Sequence, residues 1–276
     1  MGLCRILSAA GRAFMVGICL VLLCSVAVAD TEILMPKLSR NQSFILNSKG
    51  VTINYGNASQ GYVMIRHEKT DLKLKVRISM GKTEYTYDLN NRNRYEVFPL
   101  QMGDGNYKIH VLKNEEKDTY TLITGKTIIV EMANSYMPYL YPNQYVNYTP
   151  DSMAVAKAAE LCEGLRTHRE KFRAIYKFCS RRIVYNYQLA LTPSKERQTN
   201  VDQVLEKRKG ICLDYAALMA CMLRSQGIPT QLVIGYADGI YHAWNKVLLE
   251  GNWYRCDPTY ASTGGMVEVY REERRY

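Results

Sequence analysis

The sequence predicts an α+β protein in which an antiparallel β region precedes a region of helices and strands. Residues from about 40 to 132 alternate apolar and polar side chains with period two, as half-buried strands do. Residues 151–182 then carry apolar side chains at helical spacing, and residues 231–257 return to strand-like runs. A chain of 276 residues is long enough for one large domain or two ordinary ones.

The amino terminus has the form of an export signal. Arg5 and Arg12 supply positive charge, and residues 13–29 contain no charged side chain. Ala27-Val28-Ala29 matches the small-x-small pattern of a cleavage site. We therefore expect residues 1–29 to be a signal peptide and the protein to be secreted or held at the cell surface. A retained anchor is the alternative, although the apolar run is shorter than the roughly 20 residues of a membrane span.

The chain is basic, with a formal net charge of +10. Loss of residues 1–29 would remove two arginines and no acidic residue, which leaves +8. This charge favours anionic surroundings such as a cell-wall polymer or a membrane surface. The sequence contains no nucleic-acid-binding motif, so we expect a protein or cell-wall peptide substrate and an anionic surface polymer as partners.

Five cysteines follow the predicted signal peptide, and none of them forms a CxxC pair. Their spacing does not resemble a zinc site, and no calcium-site pattern occurs, so we expect no cofactor and no metal. Cys162, Cys179 and Cys221 lie in helical apolar patterns, which predicts buried side chains.

The β region is predicted to span residues 40–132. Apolar residues alternate with polar ones over residues 74–80 and again over residues 107–111. Turns are expected at Gly103-Asp104-Gly105 and at Asn114-Glu115-Glu116. Several short strands between such turns favour an antiparallel β-sandwich domain, immunoglobulin-like in type.

The helical region follows a connector of residues 133–150 that is rich in Tyr and Pro. Thr149-Pro150 is expected to begin a first helix over residues 151–163. Thr167 and Glu170 have the spacing of a capping box, which predicts the start of a second helix. This helix should end near residue 182, and residues 188–199 have the composition of a loop.

Cys212 lies where a strongly helical segment begins. Asn200 can cap a short helix over residues 201–207, and Gly210-Ile211-Cys212 then opens a run of Ala, Leu and Met that ends at Gly227. The unpaired N–H groups and the dipole of a first helical turn favour an anion, and here that anion would be a thiolate. Taken alone, however, Cys212 is better explained as a buried structural cysteine.

His242 and Asp257 change that interpretation. A predicted hairpin carries His242 near the start of one strand and Asp257 at the end of the next, joined by a turn at Gly251-Asn252. Pairing outward from this turn places Lys246 opposite Asp257, and thus brings Asp257 near His242.

Each of these residue types suits acyl chemistry. A Cys212 thiolate would attack an amide or ester carbonyl, with His242 as the base and Asp257 as the residue that orients the imidazole. The Cys212 backbone N–H and a group from the Tyr185–Tyr187 segment are the candidate donors to the oxyanion.

These motifs resemble the transglutaminase-like superfamily. The resemblance covers about residues 150–262 and rests on four motifs: Gly-x-Cys-x-Asp-Tyr-Ala, Gly-Ile-Pro, His-Ala-Trp-Asn and Asp-Pro-Thr-Tyr. It implies a papain-like α+β core in residues 151–276, with Cys212, His242 and Asp257 as the catalytic triad. The sequence is similar above all to exported bacterial members of this superfamily that have an amino-terminal β domain. The oxyanion-hole tryptophan of animal transglutaminases has no clear counterpart, and Tyr187 is the expected substitute.

The resemblance implies a mechanism and leaves the substrate open, because the family includes protein cross-linkers, peptidases and amidases. We expect a cysteine acyltransferase or hydrolase that forms a thioester acyl-enzyme on protein or peptide amides. The alternative is a catalytically silent surface or cell-wall binding module that keeps the fold.

Overall fold

The computed structural model describes residues 32–90, 93–192 and 197–276, which all belong to one compact unit. The predicted signal peptide, residues 1–29, lies outside the described residues. Within those ranges, no helix is both long and apolar enough to cross a membrane.

Fourteen strands and six helices are described, besides short 3-10 turns. The strands are β1 (Ile45–Ser48), β2 (Val51–Asn54), β3 (Tyr62–His67), β4 (Leu74–Met80), β5 (Thr83–Leu89), β6 (Glu96–Pro99), β7 (Gly105–Glu116), β8 (Thr119–Val130), β9 (Val184–Tyr185), β10 (Lys209–Gly210), β11 (Thr230–Ala237), β12 (Ile240–Leu249), β13 (Asn252–Cys256) and β14 (Tyr270–Arg275). The helices are α1 (Met153–Cys162), α2 (His168–Arg182), α3 (Tyr187–Leu191), α4 (Val201–Lys207), α5 (Cys212–Ser225) and α6 (Pro258–Thr263).

The β region consists of two antiparallel four-stranded sheets, in the orders β1-β2-β3-β6 and β5-β4-β7-β8. Leu74, Val76 and Ile78 are buried while the residues between them are half-buried, as the alternation predicts. The turn expected at Asn114–Glu116 is wrong. β7 continues through Glu116, and the chain reverses at Lys117, whose φ of 49° fits a tight turn.

The connector packs against the rest of the chain. Tyr139, Tyr141 and Tyr148 are each buried, and Tyr145 stacks on the ring of Tyr276 with a centroid separation of 3.7 Å. Apolar side chains of both β-region sheets and of the helical region form one continuous hydrophobic core. Burial of ring area on this scale is a large favourable contribution to folding.

Four helices of the second half, α2, α3, α4 and α6, begin at residues whose side chains cap them. The capping box of Thr167 and Glu170 is present at the start of α2. The first helix, however, begins at Met153 with Ser152 as its N-cap, and not at Thr149-Pro150 as predicted. The predicted loop of residues 188–199 also contains most of the short helix α3.

The third sheet has the order β13-β12-β11-β14, and the almost fully buried helix α5 packs against it. This combination of helices with antiparallel sheets is the predicted α+β class. The predicted hairpin register is wrong by two residues, because the turn lies one position earlier, at Glu250 and Gly251, with φ of 52° and 80°. Lys246 therefore pairs with Arg255, and Asp257 lies just beyond the last pair of the hairpin.

Candidate active site

Cys212 is the first residue of α5 and is partly exposed. A first-turn N–H has no acceptor within its own helix, so the backbone at this position presents free donors. The N–H of the preceding residue, Ile211, is by contrast occupied, because it donates to Asp214 Oδ2 at 3.0 Å. Gly210 permits this tight turn, because a Cβ there would lie 2.6 Å from the Cβ of Asp214.

Asp214 anchors the start of α5 from inside the protein. Its side chain is fully buried, and both carboxylate oxygens accept hydrogen bonds from Arg197 Nη2, at 2.9 and 2.8 Å. The Thr199 hydroxyl donates to Oδ1 at 2.8 Å. A buried carboxylate that is paired and hydrogen-bonded in this way keeps its neighbours in one arrangement, so the Cys212 backbone is held firmly.

His242 lies on β12, and only 5% of its surface is exposed. Its Nε2 is 2.7 Å from Asp257 Oδ2, and the Cys212 side chain forms a hydrogen bond with the same ring. Because Asp257 occupies Nε2, Nδ1 is the nitrogen left for the thiol. The ring stacks nearly parallel to Trp244 at 6.2 Å and meets Tyr260 edge-on at 4.8 Å.

Asp257 is held at both carboxylate oxygens. Oδ1 accepts the backbone N–H groups of Thr259 and Tyr260 at 3.0 and 3.1 Å, so Asp257 is also the N-cap of α6. Oδ2 accepts the hydroxyl of Tyr270 at 3.0 Å in addition to His242. The carboxylate that is bonded to His242 is therefore itself fixed by three further donors.

The charge balance of the site favours a protonated imidazole. Burial by itself lowers the pKa of His242, but the hydrogen bond and charge of Asp257, together with Cys212, raise it from 6.5 to about 9. His242 can therefore hold a proton at neutral pH beside the sulfur of Cys212. This arrangement places a positive charge next to the partly exposed sulfur of Cys212.

Comparison with known proteins assigns the segment that contains this site to a family. Residues 155–258 match the family model of the transglutaminase-like superfamily. The chain carries a transglutaminase-like core. Cys212, His242 and Asp257 all lie within the matched residues.

Individual relatives match less than half of the chain. Human kyphoscoliosis peptidase is 32% identical in an alignment over 124 residues that covers 40% of this chain and 18% of that protein. A protein-glutamine gamma-glutamyltransferase of Pseudomonas aeruginosa is 30% identical over 134 residues, covering 42% of this chain and 20% of that protein. The chain thus spans about a fifth of the length of these curated relatives.

Among solved structures, a candidate cysteine protease from Cytophaga hutchinsonii is similar with a TM-score of 0.41 and 18% sequence identity. The match covers 72% of this chain and 78% of that chain.

Asn245 joins the two halves of the transglutaminase-like core. Its side-chain amide donates to the carbonyl of Ala216 in α5 at 3.0 Å and to that of Gln231 in β11 at 3.2 Å. Asn245 is fully buried, so loss of these bonds would leave two carbonyl groups without a side-chain partner. The asparagine of His-Ala-Trp-Asn therefore ties the helix that carries Cys212 to the sheet that carries His242.

The predicted oxyanion residue Tyr187 is 67% exposed and begins α3. Its ring meets that of Tyr185 edge-on at 4.9 Å. Burial, and to a lesser extent Cys212, raise the pKa of Tyr185 to about 12, which shows that Tyr185 lies within electrostatic reach of the thiol. Tyr185 is thus the less exposed of the two rings and feels the charge of Cys212, while Tyr187 is mostly exposed.

The other cysteines differ from Cys212. Cys162, Cys179, Cys221 and Cys256 are all buried as free thiols. Burial raises the pKa of each of them, in the case of Cys179 to about 12. In the part of the chain that the structure describes, no group of three or more His, Cys, Asp or Glu residues is arranged to hold a metal ion.

Sequence reasoning missed Tyr270 and the two elements around it, α6 and β14. β14 reads Tyr-Arg-Glu-Glu-Arg-Arg, which has no apolar alternation because this edge strand is mostly exposed. The Asp257-Pro258 pair was the available signal for α6, since Asp is a favoured N-cap and Pro a favoured first helical residue. Nothing in the sequence around Tyr270 indicates that its hydroxyl reaches Asp257.

Proposed function

We propose that the transglutaminase-like core catalyses thiol acyl transfer or hydrolysis on amide groups of proteins or peptides. One observation carries this proposal. The imidazole of His242 contacts the thiol of Cys212 and lies 2.7 Å from the carboxylate of Asp257, at the start of a 14-residue helix. A nucleophile, a base and a residue that orients the base thus come together from three separate elements.

The reaction would proceed through a thioester. The sulfur of Cys212 attacks the amide carbonyl, the carbonyl π bond opens, and the negative charge collects on oxygen. When this intermediate collapses, the C–N bond breaks and His242 gives its proton to the departing amine or ammonia. Neutral His242 then takes a proton from the attacking water or primary amine, the C–S bond of the thioester breaks, and the Cys212 thiolate leaves beside the imidazolium.

The oxyanion would accept hydrogen bonds from the backbone at the start of α5. The Cys212 N–H is the first donor, because a first-turn N–H has no acceptor in its own helix. We propose a tyrosine of the Tyr185–Tyr187 segment as the second. Tyr187 is the predicted residue, while the effect of Cys212 on the pKa of Tyr185 makes Tyr185 a second candidate.

The setting of the reaction is also part of the proposal. We infer an exported bacterial protein, secreted or at the cell surface, whose substrate is a protein or a cell-wall peptide. The signal-like residues 1–29 support export. The β region supports an immunoglobulin-like module, since two antiparallel sheets with a shared core are the architecture of such sandwiches.

Mass spectrometry tests the proposed chemistry. The protein from residue 30 onward is incubated with a glutamine-containing protein and a labelled primary amine. Incorporation of the amine indicates transfer, new fragments indicate a peptidase, and glutamine converted to glutamate without either indicates an amidase. In each case a thioester adduct on the Cys212 peptide is expected.

Cys212→Ala is the control, and Cys179→Ala is the matched cysteine variant, because Cys179 is buried and has a raised pKa. Cys212→Ala should abolish the adduct and the product, while Cys179→Ala should keep both. The proposal is wrong if no adduct forms on Cys212 with any glutamine or peptide substrate.

A second candidate is the catalytically silent module that binds an anionic surface polymer. It is favoured by a cationic surface pocket of about 580 Å³ lined by Lys157, Leu161, Phe178, Arg182 and Arg208. The Arg208 guanidinium lies 4.8 Å and the Lys157 ammonium 5.7 Å from the centre of the Phe178 ring. This candidate is weaker, because α2 and α4 end beside the pocket and part of the charge offsets their dipoles.

Binding to an anionic polymer distinguishes the two candidates. If the silent module is correct, sedimentation with polyglutamate beads should survive Cys212→Ala and be lost in the double variant Arg182→Glu, Arg208→Glu. Binding that is unchanged in the charge-reversal variant would contradict a role for this pocket.

A further inference from the structure

Tyr270 contacts the same oxygen of Asp257 that His242 uses. Its hydroxyl donates to Asp257 Oδ2 at 3.0 Å, and His242 Nε2 lies 2.7 Å from that oxygen. We propose that Tyr270 is a positioning residue that acts through Asp257: its hydroxyl bonds the oxygen that faces His242 and so sets the carboxylate charge that the imidazole feels. This inference rests on the proposed thiol chemistry and deepens it.

The ring of Tyr270 is fixed by contacts on two sides. It meets the buried ring of Trp244 edge-on with a centroid separation of 4.9 Å. The guanidinium of Arg255 lies 4.1 Å from its centre. Aromatic and cation–π contacts of this kind restrict the ring, so the hydroxyl is a fixed donor and not one of many solvated ones.

The backbone of β14 also has to be placed for this contact. β14 pairs with β11, and the register shifts between Ile234 and Gly235. A Cβ at Gly235 would lie only 2.1 Å from the carbonyl oxygen of Arg271, so this close approach requires glycine. Bulges of this type change the direction of side chains next to active sites. Glu272 pairs with Gly235 at the bulge, and Tyr270 lies two residues before Glu272 on the same strand.

The hydroxyl is available as a donor under ordinary conditions. Burial and the charge of Asp257 raise the pKa of Tyr270, so the phenol keeps its proton through neutral pH. A donor to Oδ2 withdraws part of the carboxylate charge that His242 would otherwise feel. Loss of the hydroxyl should therefore strengthen the pull of Asp257 on the imidazole proton, while the N–H groups of Thr259 and Tyr260 still hold the carboxylate at Oδ1.

Tyr270→Phe keeps the ring and removes only the donor. The readout is carboxymethylation of Cys212 by iodoacetate across a pH series, measured by mass spectrometry of the Cys212 peptide. In the wild type the rate should fall as His242 loses its proton near pH 9, because the anionic reagent loses its attraction to the imidazolium. This fall of the rate at high pH is called the alkaline limb. In Tyr270→Phe its midpoint should move to higher pH by about half a pH unit to one pH unit.

Tyr176→Phe is the matched control. The Tyr176 hydroxyl donates to the main-chain carbonyl of Asp257 at 3.3 Å and not to its carboxylate. Its removal should leave the alkaline limb where it is in the wild type. In an Asp257→Asn background, Tyr270→Phe should add no further upward shift, since the carboxylate charge on which it acts is gone.

A graded substitution covers the case in which Tyr270→Phe does not fold. Replacement of Tyr270 by 3-fluorotyrosine preserves the ring and makes the phenol a stronger donor, so the limb should move downward. The positioning role is overturned if the alkaline limb lies at the same pH in the folded Phe variant, the fluorotyrosine variant and the wild type. Shifts in opposite directions support it, because a purely packing role would move neither.

The experiment also separates this inference from the proposed function. Iodoacetate needs no amide substrate, so the titration is measurable before any substrate is found. If the wild type shows no alkaline limb, Cys212 and His242 are not a functional pair and the proposed function fails with the inference. If the limb is present but does not respond to changes at position 270, only the positioning role fails.

Discussion

The β region and the third sheet each carry a strand histidine, and the two rings are affected in opposite directions. His110 lies on β7 opposite Arg77, and burial together with Arg77 and Lys108 lowers its pKa. His242 on β12 is more deeply buried, yet its pKa is raised to about 9. Burial acts in the same direction on both rings, so the sign of the nearest charge decides the outcome: cations for His110 and the Asp257 carboxylate for His242.

The largest expected effect comes from removing the imidazole of His242, and removal of the His110 imidazole is the comparison. His242→Ala should reduce thioester formation by about 100,000-fold or more, because a triad that acts as a unit fails when its base is lost. His110→Ala should change the rate by less than about twofold. The comparison is measured as the rate of adduct formation on Cys212. Similar rates in the two variants would remove His242 from the mechanism.

Neutralising the carboxylate should make His242 behave like His110. In Asp257→Asn the burial of the ring remains while the negative charge is lost, so the pKa of His242 should fall below its ordinary value of 6.5. Turnover should fall by about 10,000-fold, as expected when the imidazole loses its orienting carboxylate. Histidine-selective ¹⁵N NMR of the wild type and the variant measures both pKa values. A ring that still titrates above pH 8 in the variant would contradict this explanation.

The raised pKa of His242 should also make stability depend on pH. Because its folded pKa lies above the unfolded value of 6.5, the stability it contributes is fully present below pH 6.5 and is lost as pH rises through about 9. The loss should be on the order of 3 kcal/mol. Urea unfolding of the wild type and of His242→Gln at both ends of this window isolates the contribution. An equal change in the free energy of unfolding with pH in the two proteins would contradict it.

The smallest effect is the contribution of His110 to the pH dependence of stability, and its sign is opposite to that of His242. Its folded pKa is lowered, so the unfolded chain takes up the proton first and the protein loses stability as pH falls through 6.5. His110→Asn should lose less of its melting temperature between pH 7.5 and pH 5.5 than the wild type does. A variant that is more acid-sensitive than the wild type would show that the ring is stabilised in its charged form.

Local pattern was enough to predict much of the framework. The alternation over β4, the capping box of α2, the Asn200 cap of α4 and the start of α5 at Cys212 all depend on residues close together in sequence. Such features are set by side-chain period and by hydrogen bonds within one turn, so a single sequence displays them. Of the transglutaminase-like motifs, Gly-x-Cys-x-Asp-Tyr-Ala lies at the start of α5, within the matched residues 155–258.

The errors occur where conformation depends on more than local pattern. The hairpin register depended on Glu250, a non-glycine residue that adopts a positive φ, and the start of α1 depended on Ser152 rather than on Thr149-Pro150. The register error moved each partner by two residues and so kept every side chain on its predicted face. The prediction that Asp257 lies near His242 therefore did not depend on the correct register.

The sequence by itself determined which residues can supply thiol chemistry and which elements carry them, because residue type and local period are written in the chain. Tertiary structure alone decided how the charges act on each other. Asp257 meets His242 only when β12, β13 and α6 are assembled, and Tyr270 joins them from an edge strand whose pattern is polar throughout. The pKa of His242 depends on distances between these elements, and no local sequence pattern encodes those distances.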